Sequence, residues 1–407
     1  MPILPEEAWR IKIPEMIKVR QVFPDEKIDD VKAATESEIF REDISALIKP
    51  GQSVAVLVGS RGIKNLKEIV KTTVDCLHKM GAKPFIVPAM GSHGGATAEG
   101  QVQILSHYGI TEDYIKAPIK SAMETVVIGY TDTGVPVHMD KYAAESDAIV
   151  AVARIKPHTD FDGPIQSGMC KMLSIGVGKH NGCSRLHQEG SANFPRLLPH
   201  VASIVIDRKN VAFSIAIIEN AHDNTCLIKA VRGDKTVSEE PGLFAISERL
   251  MPSLQFEGID VLIVEKIGKE ISGNGMDTNI TGRLSSGPAP GYKGPFIKRI
   301  IALDLFGNNA IGVAAADFIT RKLYDKIDFI STYANAIASA SPEAARIPPV
   351  MDDEEQALRA AIQCLLKTDP DNVKIVRIKH TLDLINIEVS KNLLEYCKSS
   401  DKFIVFD

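Results

Sequence analysis

Apolar runs and amphipathic stretches alternate along this chain. Ser53–Gly59 (SVAVLVG) is a continuous apolar run ending in glycine, the pattern of a strand buried on both faces. After Ser60, Arg61 and Gly62 the period changes, and Leu66, Ile69, Val70, Val74 and Leu77 recur at helical spacing, predicting a helix with those residues inward. Pro84–Ala89 (PFIVPA) is the next strand. Strand, helix and strand at this spacing predict a βαβ unit with two parallel, neighbouring strands. Ala148–Ala153 (AIVAVA) predicts a third strand, after which Pro157 forces Lys156 into extended geometry. Ser203–Ile206 and Val211–Ile218 read as a hairpin across Arg208, Lys209 and Asn210.

A boundary is expected at Met251-Pro252-Ser253. Beyond it Val261–Glu265 and Ile297–Leu305 predict strands, Val313–Tyr324 a helix, and Gly268–Leu284 a glycine-rich loop. Gly287–Gly294 (GPAPGYKG) is too rich in Gly and Pro for regular structure. Glu354–Leu366 predicts a helix, Val373–Arg377 a strand and Lys391–Lys398 a last helix. The expectation is an α/β protein of two α/β domains, residues 1–252 and 253–407, with the active-site cleft between them.

Composition narrows the function classes. The 407 residues exceed what one core usually organises. A net charge of −5, with Lys and Arg scattered among acids, argues against nucleic acid as a partner. The opening MPILPEEAWRIKIPEM has acids and prolines where a secretory leader needs a basic and then an apolar region, and no apolar stretch reaches membrane-spanning length. The six cysteines form no CxxC pair and read as reduced thiols of a cytoplasmic protein.

The chemistry gathers at predicted strand ends. Arg61 follows the first strand, His93 (in AMGSHGGAT) the second, and His158 (in RIKPHTDFDG) the third, which is where open α/β sheets place ligand crevices. The GSHGG turn offers backbone N–H groups around Gly94, with Ser92 and Thr97 as hydroxyl donors, as an anion cradle. No GKS or GKT follows it, and GxGxxG is absent from the first strand-to-helix turn, so neither a P-loop ATPase nor an ordinary dinucleotide enzyme is indicated. Two imidazoles, each with an ordinary pKa of about 6.5, can serve as acid and base on opposite faces of one carbon, while Arg61 grips a carboxylate. Lys171 lies in an apolar run (SGMCKML) among glycines that include Gly168, Gly176 and Gly178, a setting that suits either a snorkelling side chain or a nucleophilic amine. His187 follows sixteen residues later, with His180 and His200 as competitors for any metal role.

GSH at His93, PH at His158, the SG…K run ending in Lys171, and His187 together resemble the nickel-dependent lactate racemase family in order and spacing. The resemblance covers most of the first domain and extends loosely to Gly275-Met276-Asp277-Thr278-Asn279 in the second. It implies a nickel-pincer nucleotide tethered through Lys171, His187 as the nickel ligand, and His93 and His158 as the acid/base pair. Arg61 would lie near the substrate carboxylate, and Ser92, Gly94 and Thr97 would contact the cofactor. The implied reaction is racemisation or epimerisation of a small-molecule 2-hydroxy acid by reversible hydride transfer from C2. The family's lactate enzymes carry an acid shortly before the arginine, where this chain has Val58-Gly59-Ser60, and Asn279, Thr281 and Arg283 stand where those enzymes place a glutamine and a lysine. A 2-hydroxy acid other than lactate is therefore expected, with Asn279 and Arg283 as contacts from the second domain. Two further readings stay open: a zinc hydrolase with His93, His158 and His187 as ligands, and a non-catalytic carrier of nickel or nucleotide.

Overall fold

The structure, a computed structural model, describes residues 4–60, 62–366 and 368–406. It is mixed α/β and divides into two compact units, Pro24–Met251 and Met1–Phe23 with Pro252–Asp407. The first strand, β1 (Met16–Gln21), is the reason the N-terminal residues depart from the expected 1–252 grouping. It is the partner of a strand near the C-terminus, so the first 23 residues belong with the C-terminal unit.

In the N-terminal unit β2 (Ser53–Val58) is followed by α1 (Leu66–Lys79) and β3 (Lys83–Pro88), and all five helix positions named above are buried. Helix α2 (Ala98–His107), the hairpin β4 (Thr125–Tyr130) and β5 (Pro136–Asp140), and β6 (Ala148–Arg154) come next. Helices α3 (Lys179–His187) and α4 (Phe194–Arg208) precede β7 (Val211–Glu219), β8 (Thr225–Arg232) and α5 (Thr236–Leu250). The main sheet runs β3-β2-β6-β7-β8, parallel except for the antiparallel β7–β8 pair. Val58 pairs with both Pro88 and Val152, so β2 and β3 end level and β6 runs two residues further, to Arg154. The chain steps outward from β2 to β3 and later returns to the other side of β2 with β6. The crevice at that reversal lies between the segments after β2, β3 and β6.

The expected hairpin at 203–218 is replaced. Residues 203–206 sit inside α4, whose buried Phe194, Leu197, Leu198, Val201, Ala202 and Val205 follow a helical period longer than the four-residue SIVI window reveals. Pro195 occupies its first turn, where a missing N–H costs nothing. The partner of β7 is β8.

In the C-terminal unit β9 (Gly258–Ile267), the two-residue strands β10 (Arg283–Leu284) and β11 (Gly287–Pro288), β12 (Phe296–Leu305), β13 (Phe318–Thr320) and β14 (Val350–Met351) precede α6 (Glu354–Gln363). Strands β15 (Ile375–Ile378), β16 (Asn386–Ser390) and β17 (Phe403–Val405) complete it. The sheet order is β14-β13-β12-β9-β15-β16-β1-β17; β14 through β15 are parallel and β16, β1 and β17 add antiparallel. The helix expected over Val313–Tyr324 is instead a short turn, β13 and a single helical turn, Arg321–Tyr324. Thr320 ends the strand by capping that turn through Leu323 N–H. Among the described residues no helix is long and apolar enough to cross a membrane.

Candidate active site

The loop after β3 carries His93 beside the loop after β2: the Ser60 hydroxyl and His93 Nδ1 share a hydrogen bond, and Tyr108 donates to the Ser60 carbonyl at 3.0 Å. Arg61, the expected carboxylate clamp, lies outside the described residues. The loop after β6 carries His158. Its Nδ1 accepts the Asp160 N–H at 3.1 Å, so the neutral ring holds its proton on Nε2. The His158 ring stacks on Phe161 at 4.5 Å between centroids, Phe161 meets Phe194 edge-on at 5.4 Å, and Phe194 meets His187 edge-on at 5.1 Å. Two buried phenyl rings therefore bridge the two histidines.

Lys171 ends a helical turn, Met169–Lys171, that runs on as a π-helical stretch, Met172–Gly176, a distortion frequent at functional sites. Gly176 packs where a side chain would not fit, because a Cβ there would stand 2.8 Å from the Ala89 carbonyl at the end of β3. Gly91 N–H donates to the Gly176 carbonyl at 3.0 Å, which joins the lysine segment to the His93 loop.

His187, on the last turn of α3, donates from Nδ1 to the Cys183 carbonyl at 2.7 Å, with the Cys183 Sγ at 3.6 Å. The Cys183 thiol lifts His187 above the ordinary imidazole range, against burial and the nearby charge of Lys171. Burial pushes the Cys183 thiol up, but hydrogen bonds from His187 and Ser92 outweigh it and leave the thiol below its ordinary value. Ser92 Oγ lies 3.7 Å from Cys183 Sγ. His93, His158, Lys171 and His187 thus share one neighbourhood, and each is exposed or half-buried.

Residues 5–196 match the lactate racemase N-terminal domain. Over that stretch the chain is similar to that family. The lactate racemase apoprotein from Thermoanaerobacterium thermosaccharolyticum superposes with a TM-score of 0.55 at 13% identity, over 91% of this chain and 99% of that one. A protein of Thermotoga maritima superposes with a TM-score of 0.53 at 12% identity, over 88% and 99%. At these identities the likeness is one of fold. No curated protein matches the chain in sequence.

The family's nickel-pincer nucleotide fits the residues present. With Nδ1–H held by a backbone carbonyl, neutral His187 carries its lone pair on Nε2, the form a metal ligand needs. Lys171 is half-buried and close enough for its charge to act on His187, whereas the other lysine of this stretch, Lys179, is wholly buried and hydrogen-bonded. Of the competing histidines, His200 faces Asp132 and His180 lies near Ser184.

Other residues named from the sequence have partners within the protein. Thr97 caps α2, accepting from Gly100 N–H at 3.0 Å and donating to the Gly94 carbonyl at 3.1 Å, so its hydroxyl starts a helix. Arg283 pairs with Asp317 and donates to the carbonyls of Ile297 and Lys298 at 2.8 and 2.6 Å, which makes it a strut of the C-terminal unit. The three-histidine zinc centre does not form: among the described residues no group of three His, Cys, Asp or Glu side chains is placed to hold a metal ion. In the C-terminal unit Asn279 is fixed by Asp277 Oδ1, which accepts from both its backbone N–H and its Nδ2.

Sequence reasoning missed several residues that shape the site. Glu240, on α5, is fully buried and accepts the Cys170 N–H at 2.7 Å, at the start of the lysine segment. Among the described residues its other oxygen has no hydrogen-bond partner, and burial pushes the carboxyl up to about 7. Nothing local marks a glutamate seventy residues downstream as part of this site. Cys183 and His187 stand four apart on one helix, a spacing that does bring side chains together and was visible in the sequence.

Proposed function

We propose that this chain is a racemase or epimerase of a 2-hydroxy acid other than lactate, working with a nickel-pincer nucleotide tethered through Lys171. The observation that carries the reading is the Nδ1-held tautomer of His187 beside the half-buried Lys171, in the neighbourhood of His93 and His158. When bound, the group would supply a cationic acceptor for the C2 hydrogen as hydride. His187 would hold nickel through Nε2, and Lys171 would anchor the nucleotide.

The rest of the work falls to the chain's own side chains. His158 is stacked on Phe161, and in the neutral form its Nδ1 accepts the Asp160 N–H; to act as a base it would take the other tautomer, with the lone pair on Nε2. His93, hydrogen-bonded to Ser60 through Nδ1, would exchange the hydroxyl proton of the substrate through Nε2. One imidazole serves each enantiomer. The Phe161–Phe194 pair gives the crevice an apolar floor that limits water around the reacting carbon. Arg61, which the resemblance makes the carboxylate contact, would bind the substrate carboxylate.

The test is intact mass and nickel content after co-expression with cofactor-making enzymes, followed by a screen of 2-hydroxy acids for inversion at C2. A mass gain and about one nickel per chain, both lost in Lys171→Ala, are expected from a single tethered metal site. An unmodified, nickel-free protein from cells that load a control racemase refutes the reading. Loaded protein that inverts no 2-hydroxy acid would mark a carrier.

A further inference from the structure

Lys179 is a lysine with no solvent exposure at all, and it sits where the lysine segment passes into α3. Its φ of +53° is in the left-handed region that non-glycine residues avoid, so the surroundings must hold it there. Three groups do so. Its Nζ donates to the Pro88 carbonyl at 2.5 Å and to Gln101 Oε1 at 2.8 Å, and it lies 3.5 Å from Asp140 Oδ2.

Each partner leads to another part of the site. Pro88 is the last residue of β3. Gln101, fully buried on α2, passes the link on through Nε2 to the Gly91 carbonyl at 3.0 Å and the His93 carbonyl at 3.3 Å. Asp140 caps the helical turn after β5 with its other oxygen, accepting from Tyr142 and Ala143, and its N–H donates to the Val177 carbonyl at 2.8 Å. A buried ammonium against a buried carboxylate is a poor way to gain stability, since apolar packing does as well without the desolvation cost. What this one does is tie the His93 loop, the end of the Lys171 segment and the start of the His187 helix to a single point.

We propose that Lys179, acting through Gln101 and against Asp140, is the positioning residue that fixes the His93 loop relative to the segments carrying Lys171 and His187. The role of His93 rests on the function proposed above, but the device itself is a property of the cofactor-free protein and is tested there. A loss of loop order and a failure to load nickel are separate results.

The experiment is hydrogen exchange of the full chain without cofactor, comparing amides 91–97 with those of α1. Gln101→Glu keeps an oxygen for Lys179 while losing the N–H donors to the Gly91 and His93 carbonyls. Lys179→Met with Asp140→Asn removes the ammonium without leaving a lone buried carboxylate. In both, exchange at 91–97 is expected to rise about tenfold or more with α1 unchanged, and the ¹⁵N shift of His93 Nδ1 should move as its bond to Ser60 loosens. Unchanged exchange at 91–97 in folded protein overturns the proposal. So does an equal rise in α1, which would mean general destabilisation. If the double variant does not fold, Gln101→Glu decides alone.

Discussion

Replacing Glu240 by Gln should alter the pH dependence of stability more than stability itself. Glu240 is fully buried, accepts one N–H from Cys170 and, among the described residues, has one oxygen without a hydrogen-bond partner. Burial holds its carboxyl at about 7 against an ordinary 4.5, a difference that corresponds to about 3 kcal/mol. The sign follows from proton counting. Between these values the folded chain keeps the proton and the unfolded chain releases it, so stability falls as pH rises through the window and is flat on either side. The neutral acid's contribution is complete below the unfolded value and gone above the folded one. The substituted amide keeps an oxygen for the Cys170 N–H and has no proton to lose. The stability of the native protein minus that of Glu240→Gln should therefore drop by about 3 kcal/mol between pH 4.5 and pH 8. Urea unfolding followed by far-ultraviolet circular dichroism at about five pH values reads it, because other titrating groups cancel in the difference. A difference constant to within about 0.5 kcal/mol over that range would refute the reasoning, since it would mean the carboxyl ionises as it does in water.

Gly168→Ala would place a Cβ 2.1 Å from Glu240 Oε1, so it should cost about 1–3 kcal/mol in the native background and markedly less beside Glu240→Ala, a coupling that a double-mutant cycle measures. Thr97→Ala should lower stability by about 1 kcal/mol through the lost cap on α2, yet leave nickel content and added mass at Lys171 unchanged. Phe194→Ala removes a buried ring, only 2% exposed, from between Phe161 and His187 and should cost about 3–5 kcal/mol, read by denaturant unfolding. Arg283→Ala should destabilise the C-terminal unit, seen as faster exchange in β12, with Arg283→Lys failing to restore the paired carbonyl contacts; a raised KM in a stable variant would return Arg283 to the substrate.

What the sequence disclosed and what it hid divide along a physical line. The βαβ start was legible because Ser53–Val58 and the Leu66–Leu77 helix write their periods over a whole element, and strand ends then located His93 and His158. The SIVI stretch of α4 misled because Ile204, Val205 and Ile206 look alike in either period until Phe194, Leu197 and Leu198 are counted with them. Val313–Tyr324 misled for a related reason: AAADFITRKLY is apolar enough for a helix, but Ile319 is held in the sheet between β12 and β14 by pairing that no local window contains. The site divides in the same way. Spacing and loop position brought out His93, His158, Lys171 and His187, whereas Glu240 and Gln101 act from elements far away in the chain. Lys171 and Lys179 make the point most sharply, being eight residues apart, flanked by similar glycines, and indistinguishable by composition. Burial separates the half-buried Lys171 from the wholly buried Lys179, whose Nζ lies against Pro88, Gln101 and Asp140. A nucleophile needs an approach path and a strut needs acceptors around it, so the two roles proposed for Lys171 and Lys179 ask for different walls around the same kind of amine, which no local window of sequence reveals.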